Sequence, residues 1–464
     1  MALKYTVALA ALLSLTLLCG VRAMDQERIA VSTQHPTYWN YAGETVLLLG
    51  GSDEDNLFND PEMMAGNLDA LAACGGNYIR CTLSWRDENN VPPFEMTHGK
   101  YDLNRLNPEF FTRLKQCCQK CEERNIILQI EFWATFDYYR DNWAASPWNP
   151  VNNITYTLEE THLKAEWPHH PSSRVQPFFE SVPEVNDDTE VLRHQRRFVQ
   201  KVLEVTLPYP NVLYCLDNET KAPPEWAVYW GDFITDAAEG QETPVNVTEM
   251  WDNWNINSPD HANTYRHPEL FSYCDVSQNN WMSGQTHYDR LIQFRDNLGN
   301  VPGGPRPMNN VKIYGRRPPE GNSLAEENVE RFWRAVFAGC ASARFHRPDS
   351  GLGLNEKARA TIQADRTFTD SFDLFECQPR PDLLRDCEPN EAYLLADPPT
   401  TFALYFPAGG SVTLTSGDDV GMRGEYRLRW FDTAEAAFAK PTTLTADGAV
   451  QITTPDDGRN RLAL

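Results

Sequence analysis

Asn218 and Glu219 are the residues of this sequence that best fit acid–base chemistry. They follow an apolar run, Val212 to Leu216, and one further polar residue, Asp217. An apolar run of this length that stops abruptly at polar residues is typical of a strand buried on both faces of a parallel sheet. Because reactive side chains of closed parallel barrels lie at the carboxyl ends of the strands, the pattern predicts a carboxyl and an amide at the mouth of a barrel.

Cleavage of a glycosidic bond commonly needs two carboxyls, one that protonates the leaving oxygen and one that attacks the sugar or activates water. Glu219 fits the proton donor, because a partly desolvated site would raise its pKa into a useful range. The neighbouring Asn218 amide could bind a sugar hydroxyl. A glutamate that merely forms a salt bridge at a polar strand end would give the same local pattern.

The rest of the chain predicts the barrel that this strand needs. Eight short strand patterns alternate with helical patterns over about 350 residues, as in a (β/α)8 barrel. The predicted strands are 46–51, 77–80, 126–130, 212–216, 245–247, 273–276, 311–314 and 341–345. From residue 400 onward, short strands separated by Gly and Asp turns predict a small β-sandwich.

These patterns divide the chain into four segments. Residues 1–23 are typical of a secretory signal peptide, with a basic start, an apolar core too short to span a membrane, and a small-residue cleavage site. Residues 24–375 form the predicted barrel with an N-terminal hairpin, 376–398 a polar connector, and 399–464 the sandwich. We therefore expect a secreted or periplasmic protein without a membrane span.

Composition narrows the choice of partners and cofactors. A formal net charge of −24 disfavours nucleic acid and other polyanions but not neutral carbohydrate. His169 and His170 lack a carboxylate partner at metal-ligand spacing, and Cys118 and Cys121 lie on a helical pattern without a second pair. We expect no metal or other cofactor, and the oligomeric state stays open.

The chain resembles clan GH-A glycoside hydrolases of the secreted bacterial cellulase-like kind over nearly its whole mature length. The resemblance rests on Asn77-x-x-Arg80 at the second strand, Asn218-Glu219 at the fourth, and a C-terminal sandwich similar to a collagen-binding-like domain, with Ala403–Phe406 and Arg429–Asp432. It implies that Arg80 orients the nucleophile, Asn218 holds the 2-hydroxyl of the sugar, and Glu219 is the general acid/base.

The sequence departs from that clan at strand seven, where a nucleophilic glutamate is expected before an aromatic residue and a glycine. Tyr314-Gly315 matches the aromatic–glycine pair, so Ile313 occupies the position of the glutamate. Lys312 is adjacent, and Glu320 lies several residues further along. The usual retaining mechanism is therefore in doubt.

Three residues are candidates for the missing partner of Glu219. Glu249 follows strand five and is the preferred second catalytic carboxylate, because it occupies the same kind of strand-end position as Glu219. Glu131, at the end of strand three, is the next candidate. Tyr314 could act as a phenolate nucleophile if Lys312 lowers its pKa.

Further strand-end side chains could bind substrate at the same mouth. The predicted substrate-binding residues are Arg80, Asn218, Glu131, Trp133, Asn279, Tyr314 and His346. A Trp-rich insertion, residues 138–181, could wall the cleft or form a hydrophobic patch on the rim. Two other functions remain open: a carbohydrate-binding pseudoenzyme that has lost its nucleophile, and a lyase that uses Tyr314 and Lys312.

Overall fold

The computed structural model describes residues 28–315, 318, 321–416, 422–456 and 458–464. The predicted signal peptide, 1–23, and Glu320 lie outside these residues. Within them, no helix is long and apolar enough to cross a membrane.

Eight parallel strands form the predicted barrel. They are β1 Leu48–Gly51, β2 Tyr78–Thr82, β3 Ile127–Ala134, β4 Val212–Asn218, β5 Val247–Thr248, β6 Cys274–Asp275, β7 Met308–Ile313 and β8 Ser342–Phe345. Their hydrogen-bonded order is β5-β4-β3-β2-β1-β8-β7-β6. The sheet is nearly closed between β5 and β6, where the Ser272 amide donates to the Val247 carbonyl at 3.2 Å and the Thr248 hydroxyl to the Tyr273 carbonyl at 2.8 Å.

A helix follows every barrel strand. Several of the helices begin where the sequence supplies a cap: the side chain of Asp60 accepts from the Met63 amide, and Ser323 forms a capping box with Glu326. The helices are α1 Pro61–Ala73, α2 Pro108–Glu122, α3 Thr189–Thr206, α4 Pro224–Glu239, α5 Pro259–Arg266, α6 Gly284–Gly299, α7 Leu324–Phe337 and α8 Glu356–Thr369.

The N-terminal hairpin closes the end of the barrel opposite the strand carboxyl ends. Its three strands are Ala30–Val31, Trp39–Tyr41 and Glu44–Val46. The Ile29 amide donates to Pro210, just before β4, and the Trp39 indole donates to the Asn309 side chain near the start of β7. The open end of the barrel is therefore the carboxyl end.

The Trp-rich insertion is a packed structure on the rim. Trp143 and Trp148 are fully buried, and Trp167 is 6% exposed. Trp148 packs edge-on against Phe178 and Trp133. Of the two interpretations left open by the sequence, these buried indoles fit the hydrophobic cover better than a stacking wall.

Two antiparallel sheets, of six and four strands, form the C-terminal sandwich. The sheets include strands from the predicted connector, 376–398, so the sandwich begins earlier than predicted. Cys377 and Cys387 in this segment are both free thiols. The strands are Gln378–Pro379, Leu384–Arg385, Tyr393–Asp397, Thr401–Phe406, Ser411–Thr415, Met422–Leu428, Trp430–Asp432, Ala437–Phe438, Thr442–Thr453 and Arg461–Ala463.

Candidate active site

An open cleft of about 620 Å³ lies at the carboxyl ends of the barrel strands. Its wall combines acidic, basic and aromatic side chains contributed by β2, β4 and β7 and by the segments that follow every barrel strand except β5. The lining residues are Asp55, Arg80, Arg86, Phe136, Asn142, His170, Asn218, Glu219, Trp281, Lys312, Tyr314, His346, Arg347, Asp349 and Ser350.

Glu219 lies immediately after β4, with its side chain in the cleft. Its backbone is in the left-handed region, with φ of 63°, which a residue with a side chain rarely adopts. Such a conformation costs on the order of 1–3 kcal/mol and persists where the surrounding structure enforces it, often at functional sites. The Glu219 carboxylate points toward β7.

Lys312 on β7 is the residue that meets this carboxylate. Its Nζ donates to Glu219 Oε1 and, at 3.0 Å, to Asn218 Oδ1. Ile313 is instead fully buried in the hydrophobic core. The side chain that β7 directs at Glu219 is therefore that of Lys312. The sequence comparison instead places Ile313 at the position of the missing glutamate.

A register shift in β7 explains the orientation of Lys312. Asn309 points into the barrel, where its amide donates to the Tyr78 hydroxyl at 3.3 Å. Strict alternation from Asn309 would turn Lys312 away from the interior. The pairing of β7 with β8 shifts between Asn310 and Ile313, and such an irregularity re-aims the side chains beyond it.

The ion pair decides the charge of Glu219. Burial alone would raise the pKa of this carboxyl, but the Lys312 ammonium more than compensates, with smaller contributions from Gln278 and Arg80, and the net effect lowers the pKa. The sequence predicts a raised pKa, so that expectation is wrong. Glu219 is therefore held as a carboxylate, which suits a base or nucleophile better than an acid.

Beside this pair, Arg80 joins two buried carboxylates. One guanidinium nitrogen donates to Glu131 at 2.5 Å and the other to Asp55 at 2.6 Å. Burial opposes ionisation of Asp55, yet the charges of Arg80 and Arg347 hold its pKa well below the ordinary value. Arg80 and Asp55 line the cleft, whereas Glu131 lies beneath them with its side chain fully buried.

Two solved glycoside hydrolases superimpose on most of this architecture. One has a TM-score of 0.60 at 10% identity and covers 95% of this chain and 97% of its own. The other, from Bacteroides vulgatus ATCC 8482 and assigned as a glycoside hydrolase, has a TM-score of 0.59 at 12% identity and covers 95% and 82%.

The chain shares the fold of these two proteins, a (β/α)8 barrel followed by a β-sandwich. At this level of identity, the similarity concerns the fold and not the individual residues of the cleft. No protein-family model matches the sequence, and no curated protein matches it.

In this barrel, five of the predicted residues line one cleft. They are Arg80, Asn218, Glu219, Tyr314 and His346. Burial lowers the pKa of His346 well below its ordinary value, against the opposing charge of Asp55, so its ring is neutral.

Tyr314 is also in the cleft, but its environment does not produce a phenolate. Its hydroxyl donates to Gln278 Oε1 at 3.0 Å. Burial raises the Tyr314 pKa well above 10, and the negative charges of Glu219 and Asp252 add to the shift. The expectation that Lys312 lowers this pKa is therefore wrong.

Glu249, the preferred second carboxylate, faces away from the cleft. Its Oε1 accepts from the Thr264 hydroxyl at 2.7 Å and from the Asn263 amide at 3.0 Å, and both donors are on α5. β5 ends at Thr248, and the next side chain turns outward to the helices. The expectation that the Glu249 carboxylate reaches the mouth is corrected by this geometry.

Trp133 and Asn279 are the other predicted binding residues that do not line the cleft. Trp133 is fully buried among aromatic rings of the insertion, α3 and α4. Asn279 is fully buried and donates to the His287 carbonyl at 2.7 Å. From the same segment as Asn279, Trp281 reaches the cleft instead.

Several charged groups in or near the cleft were not predicted from the sequence, among them Asp55, Arg347 and Asp252. Asp55 and Arg347 line the cleft on the loops after β1 and β8, and their side chains lie 3.5 Å apart. Asp252 lies four residues past β5, where burial raises its pKa and the nearby Glu219 carboxylate adds to the rise. The acidic loop after β1 was a usable signal for Asp55; the strand pattern gave none for Asp252.

Within the described residues, no group of three or more His, Cys, Asp or Glu side chains is placed to hold a metal ion. The side chains of the cleft can act through charge, hydrogen bonding and proton transfer. A carboxylate, an amide and an ammonium group converge at its centre.

Proposed function

We propose that the protein hydrolyses O-glycosidic bonds of a poly- or oligosaccharide in the cleft around Glu219. The observation that carries this proposal is the placement of Glu219, a strained strand-end carboxylate beside Asn218 in an open cleft of a glycoside hydrolase fold. Chemistry at this end of the barrel is general for the architecture.

The surroundings of Glu219 indicate which step of the reaction each residue of the cleft performs. Lys312 keeps the carboxylate ionised, so Glu219 acts on water or on the sugar and does not begin the reaction as the acid. Arg80 stabilises the floor of the cleft by its ion pairs with Asp55 and Glu131. Asn218 presents its amide to a sugar hydroxyl, with its carbonyl oxygen fixed by Lys312.

The test is a panel of polysaccharides and aryl glycosides assayed with wild type, Glu219→Gln and Glu249→Gln. Loss of a catalytic carboxylate lowers the rate by about 10²–10⁴-fold, so E219Q should lose activity to that extent on every cleaved substrate. E249Q is the matched control, a buried strand-end glutamate that faces α5, and should stay within a few fold of wild type. Equal turnover by E219Q and wild type would exclude the proposal.

The second candidate is a carbohydrate-binding protein without catalysis. It is favoured by one observation. β7 contributes a lysine that forms an ion pair with Glu219, where a glycosidase would place a second carboxylate. Under this alternative, isothermal titration detects saccharide binding by wild type and E219Q alike, and no substrate of the panel is cleaved.

Export is part of the proposal and rests on residues 1–23 alone. Expression of the full chain in a bacterial host, followed by mass spectrometry of the extracytoplasmic protein, should give an N-terminus near residue 24. An intact N-terminus retained in the cytoplasm would contradict it.

A further inference from the structure

Asp252 is held at the edge of the active site by an extension of the β4–β5 pairing. Beyond the ends of both strands, Thr220 and Trp251 form an isolated parallel bridge. The Thr220 amide donates to the Met250 carbonyl, and the Asp252 amide donates to the Thr220 carbonyl, both at 2.8 Å. The backbone of Asp252 is thus tied to the residue that follows Glu219.

The direction of the neighbouring side chain indicates where Asp252 points. The Trp251 indole donates to Thr264 on α5 at 3.1 Å, so Trp251 faces the helices. Side chains alternate along extended backbone, which turns Asp252 to the opposite side, toward the mouth. In agreement, its charge acts on Tyr314, which lines the cleft.

The Asp252 carboxyl is half-buried, and its Oδ2 is buried without a hydrogen-bond partner within the described part of the chain. The two nearby ammonium groups are engaged elsewhere: Lys221 contacts Asp260 at 3.1 Å, and Lys312 contacts Glu219. Burial raises the pKa of Asp252 to about 6, and the charge of Glu219 adds to the rise against the opposing charges of Lys221 and Lys312.

Glu219 and Asp252 are therefore neighbouring carboxyls whose surroundings favour opposite protonation states. One is held ionised by a contacting ammonium group, and the other is half-buried without a countercharge in contact. In glycoside hydrolysis, such a difference in protonation between two carboxyls makes the ionised one the base and the neutral one the acid.

We propose that Asp252 is the second catalytic residue and donates a proton to the leaving glycosidic oxygen while Glu219 receives a proton from the attacking water. This inference rests on the proposed function and assigns the partner that β7 does not supply. It also reverses the role that the sequence resemblance implies for Glu219.

The step balances with water as the only co-reactant. The bond between the anomeric carbon and the leaving oxygen breaks with its electron pair on that oxygen, which takes the proton of Asp252. The water oxygen bonds to the anomeric carbon, and its released proton passes to Glu219. Proton exchange with solvent then restores the protonated Asp252 and the ionised Glu219.

The decisive test compares leaving groups. Asp252→Asn should lower turnover of an unactivated alkyl glycoside or oligosaccharide by at least about 10²-fold. Turnover of a dinitrophenyl glycoside of the same sugar should fall by less than about 10-fold, because its leaving oxygen needs no proton. E219Q should lose activity on both substrates. The matched control is Asp260→Asn, on the same segment but bound to Lys221 and Asn253, and it should affect both substrates equally and weakly.

Each outcome separates the two proposals. Suppose that E219Q abolishes turnover, and that D252N either slows both substrates equally or slows neither of them. The role of Asp252 is then overturned while the proposed function stands. If E219Q leaves turnover intact, the proposed function fails first. A purely structural role for Asp252 would not produce dependence on the leaving group.

A titration tests the same assignment without any substrate. Carboxyl ¹³C NMR of the full chain should show Asp252 titrating near pH 6. Its midpoint should fall in E219Q, because the neighbouring negative charge is gone. Titration of Asp252 near the ordinary value of about 4, or a midpoint that is unchanged in E219Q, would overturn the proposal.

Discussion

Two sets of carboxyls lie on opposite sides of the barrel sheet, at the carboxyl ends of its strands. Inside the mouth, Asp55 and Glu219 contact cationic side chains, which lower the pKa of both groups against the effect of burial. On the helix side, Asp217 and Glu249 accept hydrogen bonds from uncharged donors, and burial raises both pKa values, that of Glu249 to about 7.

The difference shows that a strand-end carboxyl acquires its chemistry from the side on which it falls. Toward the mouth, a carboxyl that is in contact with a cation from another strand, as Asp55 and Glu219 are, stays ionised. Toward the helices, it meets hydroxyl, amide and indole groups of the next helix, so its neutral form is favoured. Glu219 and Glu249, which look alike in sequence, are separated by this distinction.

The largest expected effect comes from removing Arg80, the cation that Asp55 in the mouth shares with Glu131 beneath it. Arg80→Met leaves Asp55 and Glu131 buried without their partner, which should destabilise the fold by about 3–5 kcal/mol. Urea unfolding monitored by circular dichroism measures the loss. Arg124→Met is the control, because Arg124 pairs with an Asp69 side chain that is 65% exposed, and such pairs contribute about 0–1 kcal/mol. A loss no greater than that of R124M would contradict the buried network.

The helix-side carboxyl should show a pH dependence of stability. A pKa raised to about 7 means that Glu249 favours folding below its unfolded pKa, and this contribution is lost as the pH rises through 7. Glu249→Gln stays neutral, so its stability relative to wild type should increase between pH 5 and pH 8 by up to about 3 kcal/mol. Chemical unfolding at the two pH values measures the change. A constant difference between the two proteins would show that Glu249 is not held neutral.

The smallest expected effect concerns Lys312, because the Glu219 side chain is 19% exposed and can recover some solvation. Lys312→Met should destabilise the fold by about 1–2 kcal/mol at neutral pH. A lowered folded pKa gives stability that is lost as the pH falls through it, so K312M should lose less stability than wild type on acidification. The acid limb of the activity profile should move to higher pH, because the Glu219 pKa rises.

Lys221→Met is the matched control for this prediction, since Lys221 pairs with a partly exposed Asp260. It should leave the acid limb of the profile in place. An unchanged limb in K312M as well would mean that Glu219 is not the group that titrates there.

The strands and helices of the barrel were largely readable from the sequence. The run Val212 to Leu216 predicts β4, and Pro61 and Pro108 mark the starts of α1 and α2, because buried strands and helix starts leave local signals. The same run places Asn218 and Glu219 at the mouth, where the structure has them. The sandwich was also predicted, although its first strands were assigned to a connector.

The direction of side chains at irregular strand ends was not readable. β5 has only two residues, so the alternation of side chains along a strand cannot be extended from it to Glu249 and Asp252. The side of the sheet on which each of them lies is decided by contacts with α5 and by the Thr220–Trp251 bridge. The shift in β7 turns Lys312 into the mouth although a regular strand would turn it out. Both depend on pairing between segments that are distant in sequence.

By itself, the sequence determined the barrel, the sandwich, and the presence of Glu219 and Asn218 at the carboxyl end of the fourth strand. Apolar runs, caps and turn residues act over a few neighbouring residues, so they can be recognised along one chain. Only the tertiary structure decided that Lys312 forms an ion pair with Glu219, that Glu249 faces a helix, and that Asp252 lies beside the cleft. Charge and protonation at these positions depend on which side chains burial brings together, and that is set by strand register across the whole barrel.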